Sequence, residues 1–310
     1  MPLGQDYCPQ CGQRIVRDGV ADFVGPEHHS EEASFYNAAY AEGQSGALSA
    51  DALRAHWQDP DAPQNELILN ALGSISGQHV LLIGNGASDK ELYLLNELPA
   101  TLIYSDLSSK ALDRLKHPGL AEQSDRLKLA AIDAMRLPML ANSLDLIYGY
   151  AMVHHLPDTA GFIREVCRVL KPGGRAVFYD DAYSPVWHSL KTGLLGRLRQ
   201  VSHTKTGISP EDLRFSETGG FKEAELEAII HAAGGQAWFR RCSFFQYLLH
   251  RGAGKLLPNR ISRQLRHGRL AIALNRLDRW AARHSQRFQA NQVRLVWGFD
   301  KPDPSSKRGH

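Results

Sequence analysis

The stretch HVLLIGNGASDKELYLLNELPATLIYSD, residues 79–106, decides the fold. It opens on a short apolar run, HVLLIG, that suits a strand buried on both faces. Gly84-Asn85-Gly86 follows where that strand turns, and Asp89–Leu98 continues at helical period. A second apolar run, Thr101–Asp106, ends on a carboxylate. Strand, glycine turn, helix and strand in this order form one unit of a parallel sheet.

The alternation repeats outward from there. Ser108–Lys116 reads as a helix, LKLAAID (127–133) as a third strand and LDLIYGYA (144–151) as a fourth. A helix from Ala160 to Leu170 leads through LKPGG to a fifth strand, RAVFYD (175–180). Phe221–Ala233 is a helix stopped by Gly234-Gly235. QAWFRRCSFFQYLL (236–249) is expected as a sixth strand and QVRLVWGFD (292–300) as a seventh, with a basic, mostly helical stretch between them. The fold class expected is α/β, a mostly parallel sheet with helices on both faces.

The glycine turn alone is a weak signal. Glycines there let the backbone approach a ligand closely, and the start of a helix offers unpaired N–H groups. Asp106 lies 20 residues past Gly86, at the end of the second strand, where a carboxylate accepts hydrogen bonds from ribose hydroxyls. Capping of the next helix by Asp106 and Ser108 is the structural alternative. The ribose reading is preferred because turn and acid occur together in the required order. Asp133 ends the third strand and is suited to an adenine amino group or, more plainly, to a turn.

HVLLIGNGASDKE, LIYSDLSSKAL, AAIDAMRLPMLANSLDLIYGYAMVHHLPD and CRVLKPGGRAVFYD, in this order and spacing, resemble the class I S-adenosylmethionine (SAM)-dependent methyltransferase family. Within it they are most similar to the branch of quinone C-methyltransferases and other small-molecule enzymes. The resemblance covers His79 to about Asp181. It implies a seven-stranded Rossmann-like sheet whose last strand is antiparallel, and SAM as the cofactor. Gly84 and Gly86 would hold the methionine end, Asp106 the ribose, Asp133 with Ala134 the adenine edge, and Tyr150 would lie beside the methionyl group. Asn85, Ser88 and Leu107 complete the expected cofactor-binding set.

Two positions depart from the family pattern. The acid usual two residues before the first glycine is Leu82, and the third glycine is Ser88. Ser88, Asp89 or Glu91 would have to compensate from the loop. On the acceptor side a base is needed only if the acceptor must lose a proton. His154, His155, Asp180, Asp181 and Tyr183 are the candidates near the strand ends. The two histidines belong to the resembling motif, so packing or loop shaping is the plainer role for them.

Composition sets bounds on these readings. The chain has 310 residues, 43% hydrophobic and 22% charged, as in ordinary soluble domains. No apolar run approaches the roughly 20 residues of a membrane span, and MPLGQDYCPQCG has no leader pattern, so a cytoplasmic location is expected. Four cysteines make no disulfide scaffold; Cys167 and Cys242 are expected in the core. Cys8-Pro9-Gln10-Cys11-Gly12 resembles a degenerate zinc ribbon with only His28 and His29 as further ligands, so a metal-free turn is favoured over zinc.

The expected organisation is a ribbon-like segment at 1–30, a helical cap at 31–75 that includes Tyr36 and Tyr40, and a methyltransferase domain at 76–310. Insertions fall at 182–222, expected as an acceptor lid, and at 251–290. Net charge is +3 overall, but residues 251–310 hold 14 Lys/Arg against 3 Asp/Glu, while the other 250 hold 22 against 30. The basic insertion is expected to pack on the sheet with its arginines in water; the alternatives are an anionic membrane, a phosphorylated acceptor, or RNA. Methyl transfer to a small molecule, lipid-linked or phosphorylated, is the leading function. An RNA methyltransferase is disfavoured because Gly149-Tyr150-Ala151-Met152 replaces the Asn-Pro-Pro-aromatic sequence. A nicotinamide oxidoreductase is disfavoured by the incomplete glycine pattern. A catalytically inactive scaffold of the same fold is the remaining alternative.

Overall fold

A computed structural model describes residues 16–17, 19–24, 37–38, 50–59, 62–86, 88, 90–97, 100–113, 115, 126–192, 219–248 and 269–305. Its sheet is ordered β1-β2-β5-β4-β3-β6-β7-β9-β8. The strands are β1 (Val16–Arg17), β2 (Val20–Asp22), β3 (His79–Ile83), β4 (Thr101–Asp106), β5 (Leu127–Ala131), β6 (Leu144–Tyr150), β7 (Leu170–Asp181), β8 (Gln236–Cys242) and β9 (Arg294–Asp300). The seven expected strands are β3–β9. They form the expected Rossmann-like arrangement, with β9 antiparallel to both β7 and β8.

Two features differ from expectation. Val16–Asp22, placed by sequence in a separate ribbon-like segment, makes a hairpin through Gly19 and adds β2 parallel to β5. Val20 and Val24 bury against the sheet, and that apolar pair decides the placement. The stretch expected as one strand over 236–249 breaks at Ser243, whose φ is +63°. Beyond it Phe245–Leu248 is helical, because Asp278 accepts the Phe244 and Phe245 N–H groups that open that turn.

Strand alternation divides the core into two layers. Leu81, Ile83, Ile103, Ile147, Phe178 and Trp297 face one side, under helices α4 (Thr159–Val169) and α6 (Glu223–Ala232). Val80, Leu82, Tyr104, Tyr148, Val177 and Val296 face the other. That side is covered by α1 (Ala50–Trp57), α2 (Pro63–Leu72) and α3 (Ser109–Asp113). Fully burying one such side chain is worth about 1.5–3 kcal/mol, so strands apolar on both faces have no stable place at a surface. Pro63 starts α2, where its fixed φ is preorganised and its missing N–H costs nothing. At Gly298 a Cβ would overlap the Ala176 carbonyl, so only glycine lets β9 pair closely with β7. The remaining helices are α5 (Pro185–Thr192), α7 (Phe245–Leu248), α8 (Arg269–His284) and α9 (Gln286–Gln289). No helix among the described residues is long and apolar enough to cross a membrane.

The segment RLPMLANS is tied to α4 by polar contacts. Arg168 donates to the Leu137 and Met139 carbonyls at 2.9 and 2.8 Å, and Glu165 accepts the Leu137 N–H at 3.2 Å. Asp158 caps the start of α4 through Gly161 N–H. Lys301 Nζ closes its far end on the Cys167 and Leu170 carbonyls, where a cation also meets the negative end of the helix. Cys167 and Cys242 are buried, as expected.

The Arg168 hydrogen bonds hold the Glu165 carboxyl below its ordinary value near 4.5, against a smaller opposing effect of burial. A carboxyl depressed in the folded state stabilises above its unfolded pKa, and that stabilisation fades as pH falls through the folded value. Glu165→Gln should therefore cost about 0.5–1 kcal/mol at pH 7. In chemical denaturation at stepped pH, the gap from wild type should close below pH 4.5. A gap that persists or widens in acid would contradict this account.

Candidate functional site

The site is built on the ends of β3, β4, β5, β6 and β7. Gly84 and Gly86 both adopt positive φ, +65° and +62°, which any side chain would resist. At Gly84 a Cβ would also lie 2.8 Å from the Met152 Cβ. Asp106 fastens the turn. Its Oδ2 accepts the Gly86 N–H at 2.8 Å and its Oδ1 accepts the Ser108 N–H at 2.9 Å. The capping role is therefore present, yet each carboxylate oxygen keeps a further lone pair. Burial raises the Asp106 pKa, opposed by the backbone N–H groups of Ser108, Gly86 and Leu107. Asn37 Oδ1 accepts the Ser108 hydroxyl at 2.7 Å.

Between the two glycines, Asn85 is buried, and neither its side-chain nitrogen nor its oxygen has a hydrogen-bond partner among the described residues. Leaving buried polar atoms unpaired costs about 1–3 kcal/mol each. A ligand with both donor and acceptor groups would satisfy them, which fits the amino-acid end of SAM. Asp133 stands on the neighbouring strand end, since Ile132 N–H bonds the Asp106 carbonyl at 2.9 Å. Its Oδ1 accepts the Met135 N–H at 2.8 Å, a turn contact. Ala134 is buried in the core and Leu107 packs half-buried on the other face.

Leu82 is fully buried, and its partners across β4 and β6 are Tyr104 and Tyr148. The Glu91 carboxylate lies with those same two tyrosines. Tyr104 OH lies 3.3 Å from it, and Lys90 Nζ is 3.5 Å away. Tyr104 OH also bonds the Ser88 carbonyl. Burial, partly offset by Lys90, raises the Glu91 pKa. A buried acid from a different element thus stands against the two tyrosines that flank Leu82 in register. Trp57 of α1 holds that element, its indole N–H donating to the Lys90 carbonyl at 2.6 Å.

At the end of β6, Tyr150 stacks on Tyr179 with ring centroids 4.5 Å apart, and Lys90 Nζ lies 3.1 Å from the Tyr150 ring centroid. Arg294 bonds the Tyr179 hydroxyl, and its guanidinium carbon lies 5.5 Å from the Tyr247 ring centroid. Tyr247 OH in turn reaches Asp181 Oδ2 at 3.5 Å. On the opposite face, His154 Nδ1 is 2.8 Å from Asp180 Oδ1, and Trp297 Nε1 donates to Asp180 Oδ2 at 3.1 Å. His155 lies against His154 at 4.0 Å between centroids. Tyr183 sits apart, beside His188.

The geometry thus brings Asp180 onto His154. It also adds residues that sequence reading did not single out: Asn37, Lys90, Tyr179, Tyr247, Arg294 and Trp297. Arg294 and Trp297 reach the site only through the antiparallel register of β9, which no local spacing reveals. Cys8, Cys11, His28, His29, Tyr36, Tyr40, Asp89 and His203 lie outside the described residues.

Ala151, just past Tyr150, has φ +52°, a strained conformation for any residue with a Cβ. Removing the Cβ relieves the strain at some cost in chain entropy. Ala151→Gly should therefore raise stability by roughly 0.5–1 kcal/mol, read as a higher denaturation midpoint. A lower midpoint would contradict the strain.

Comparison with known proteins places this geometry. Residues 81–178 match the family model described as "Methyltransferase domain". A demethylmenaquinone methyltransferase of Lactiplantibacillus plantarum is 33% identical over 210 residues, covering 64% of this chain and 84% of that protein. Methyltransferase GfsG of Streptomyces halstedii is 30% identical over 138 residues, 40% of this chain and 49% of that protein, so the chain spans about half the length of that relative. The solved structure of Haemonchus contortus phosphoethanolamine N-methyltransferase 2 with S-adenosyl-L-methionine shares the fold. Its TM-score is 0.50 at 16% identity, over 90% of this chain and 59% of that one. The chain belongs to the class I SAM-dependent methyltransferase family.

Proposed function

We propose that the chain transfers a methyl group from SAM to a small-molecule acceptor. The observation that carries this reading is the buried Asn85 amide, unsatisfied at both ends among the described residues, between two glycines that Asp106 fastens to the next strand. In this reading Gly84, Asn85, Gly86 and Ser88 hold the methionine end, with Glu91 supplying the acid that Leu82 lacks. Asp106 takes the ribose, Leu107, Asp133 and Ala134 take the adenine, and Tyr150 flanks the methionyl group. When bound, SAM supplies a methyl already activated on a sulfonium, so the protein's work is positioning and exclusion of water.

On the acceptor side the Tyr150–Tyr179 stack brings two phenol rings to the strand ends, and Lys90 and Arg294 put positive charge against them. That supports a planar, oxygen-bearing acceptor of quinone-like or phenolic type, free, lipid-linked or phosphorylated. The name of the Lactiplantibacillus relative points the same way. Where the acceptor must lose a proton, His154, oriented by Asp180 and Trp297, is the best-placed base. The same proposal sets the methyltransferase domain at 76–310, its cover at 31–75 and the acceptor lid at 182–222, in a cytoplasmic protein.

Calorimetric titration with S-adenosylhomocysteine tests the reading. Wild type should bind at micromolar concentrations, and Asp106→Ala should lose about ten- to hundredfold, the worth of hydrogen bonds to a charged group. Glu91→Gln should weaken S-adenosylhomocysteine but leave 5′-methylthioadenosine, which has no α-amino group, unchanged. Because burial raises the Asp106 pKa and ribose hydroxyls need its carboxylate form, affinity should fall on acidification sooner than for an ordinary aspartate. Absence of binding by folded protein would overturn the proposal. Binding without turnover on quinone-like or phosphorylated acceptors would favour the inactive scaffold, and turnover on RNA would favour the RNA enzyme.

A further inference from the structure

Helix α8 is oriented against its own amphipathic pattern. Its buried positions are Ala271, Asn275 and Asp278, two of them polar. Three of its five large apolar residues point outward, Leu270 at 48% exposed, Leu277 at 43% and Trp280 at 60%, while Ile272 and Leu274 are half-buried. Leu277 lies two turns beyond Leu270 and Trp280 almost one turn further, so the three share one stripe. Arg276, Arg279 and Arg283 are exposed along the adjoining face. Arg279 makes only an exposed 3.4 Å pair with Glu66, and Arg276 and Arg283 make no ion pair among the described residues.

This orientation has a physical cause. The Asp278 carboxylate accepts the Phe244 and Phe245 N–H groups at 3.0 and 3.1 Å. Turning α8 to bury Leu270 and Leu277 would strip α7 of that cap. The expected packing of the apolar face on the sheet is therefore not what the helix does. It presents an apolar stripe bordered by cations, at the surface of the region where 14 basic residues face 3 acidic ones. A stripe of this kind matches the interface of an anionic bilayer, apolar side chains among the acyl chains and guanidinium groups among the headgroups. A nucleic-acid backbone would use the arginines and leave two leucines in water.

We propose that α8 docks this protein on anionic lipid bilayers, with Leu270, Leu277 and Trp280 inserted and Arg276, Arg279 and Arg283 at the headgroups. The docked helix stands beside the site. α7, which Asp278 caps, places Tyr247 against Asp181 and Arg294 at the strand ends. A lipid-linked acceptor would then reach the mouth without crossing water. The docking itself does not rest on methyl transfer, so its failure would leave that reading standing.

The test is co-sedimentation of the full chain with phosphatidylcholine vesicles, with and without about 30% phosphatidylglycerol. Binding should require the anionic lipid and weaken with salt. It should fall about fivefold per arginine replaced, roughly hundredfold in Arg276→Gln/Arg279→Gln/Arg283→Gln. Leu277→Gln/Trp280→Gln, with all three arginines retained, should lose binding at least tenfold. A blue shift of tryptophan emission on vesicle binding should shrink in Trp280→Phe. Both multiple variants change only exposed positions, and thermal unfolding by circular dichroism checks that they fold. Three results would overturn the proposal: no vesicle binding by wild type, RNA binding that needs the arginines but not Leu277 and Trp280, or a dimer in sedimentation velocity that Leu277→Gln/Trp280→Gln dissolves.

Discussion

Everything at the site hangs on the Asp106 carboxylate and the two backbone N–H groups it accepts, from Gly86 and Ser108. One buried anion joins the turn after β3 to the start of α3, and so fixes the spacing between two adjacent strand ends. That position is costly for a charge, since burial raises the carboxyl's pKa, and the backbone N–H groups of Ser108, Gly86 and Leu107 offset only part of the cost. Donors from a ligand would offset more of it. The same group therefore shapes the turn when alone and gains stabilisation when a ribose arrives, which is how a structural cap and a binding residue become one side chain.

The two faces of the sheet divide the remaining tasks. One carries Glu91, Tyr104, Tyr148, Tyr150, Tyr179, Lys90 and Arg294, an aromatic layer with a buried acid and two cations. The other carries the His154–Asp180–Trp297 array. Both end at the same edge, because β6 and β7 run parallel and their last residues alternate sides. Helix α1 and the Asn37 segment close over the first face through Trp57 and Ser108. The C-terminal helices border the strand ends through Tyr247.

How much of this was legible in the chain follows from the range of each interaction. Runs such as HVLLIG and LIYSD declare buried strands because apolarity on both faces has one stable outcome, and glycine turns and acids at strand ends are local chemistry. The placement of Glu91 against Tyr104 and Tyr148 was less legible. It requires knowing that Tyr104 and Tyr148 flank Leu82 in register, a relation between three strands. Arg294 and Trp297 depend on the reversed direction of β9. The break at Ser243 and the outward stripe of α8 both trace to Asp278, whose hydrogen bonds to residues 33 and 34 positions earlier override the local apolar pattern. Tertiary contacts of that length leave no periodic trace.

The most direct test of the account is a crystal structure of the chain with S-adenosylhomocysteine. The account predicts the ribose hydroxyls on Asp106, both Asn85 side-chain atoms newly hydrogen-bonded to the ligand, and the amino group at the level of Leu82 and Glu91. A ligand bound elsewhere, or bound with Asn85 still unpaired and Asp106 untouched, would contradict it.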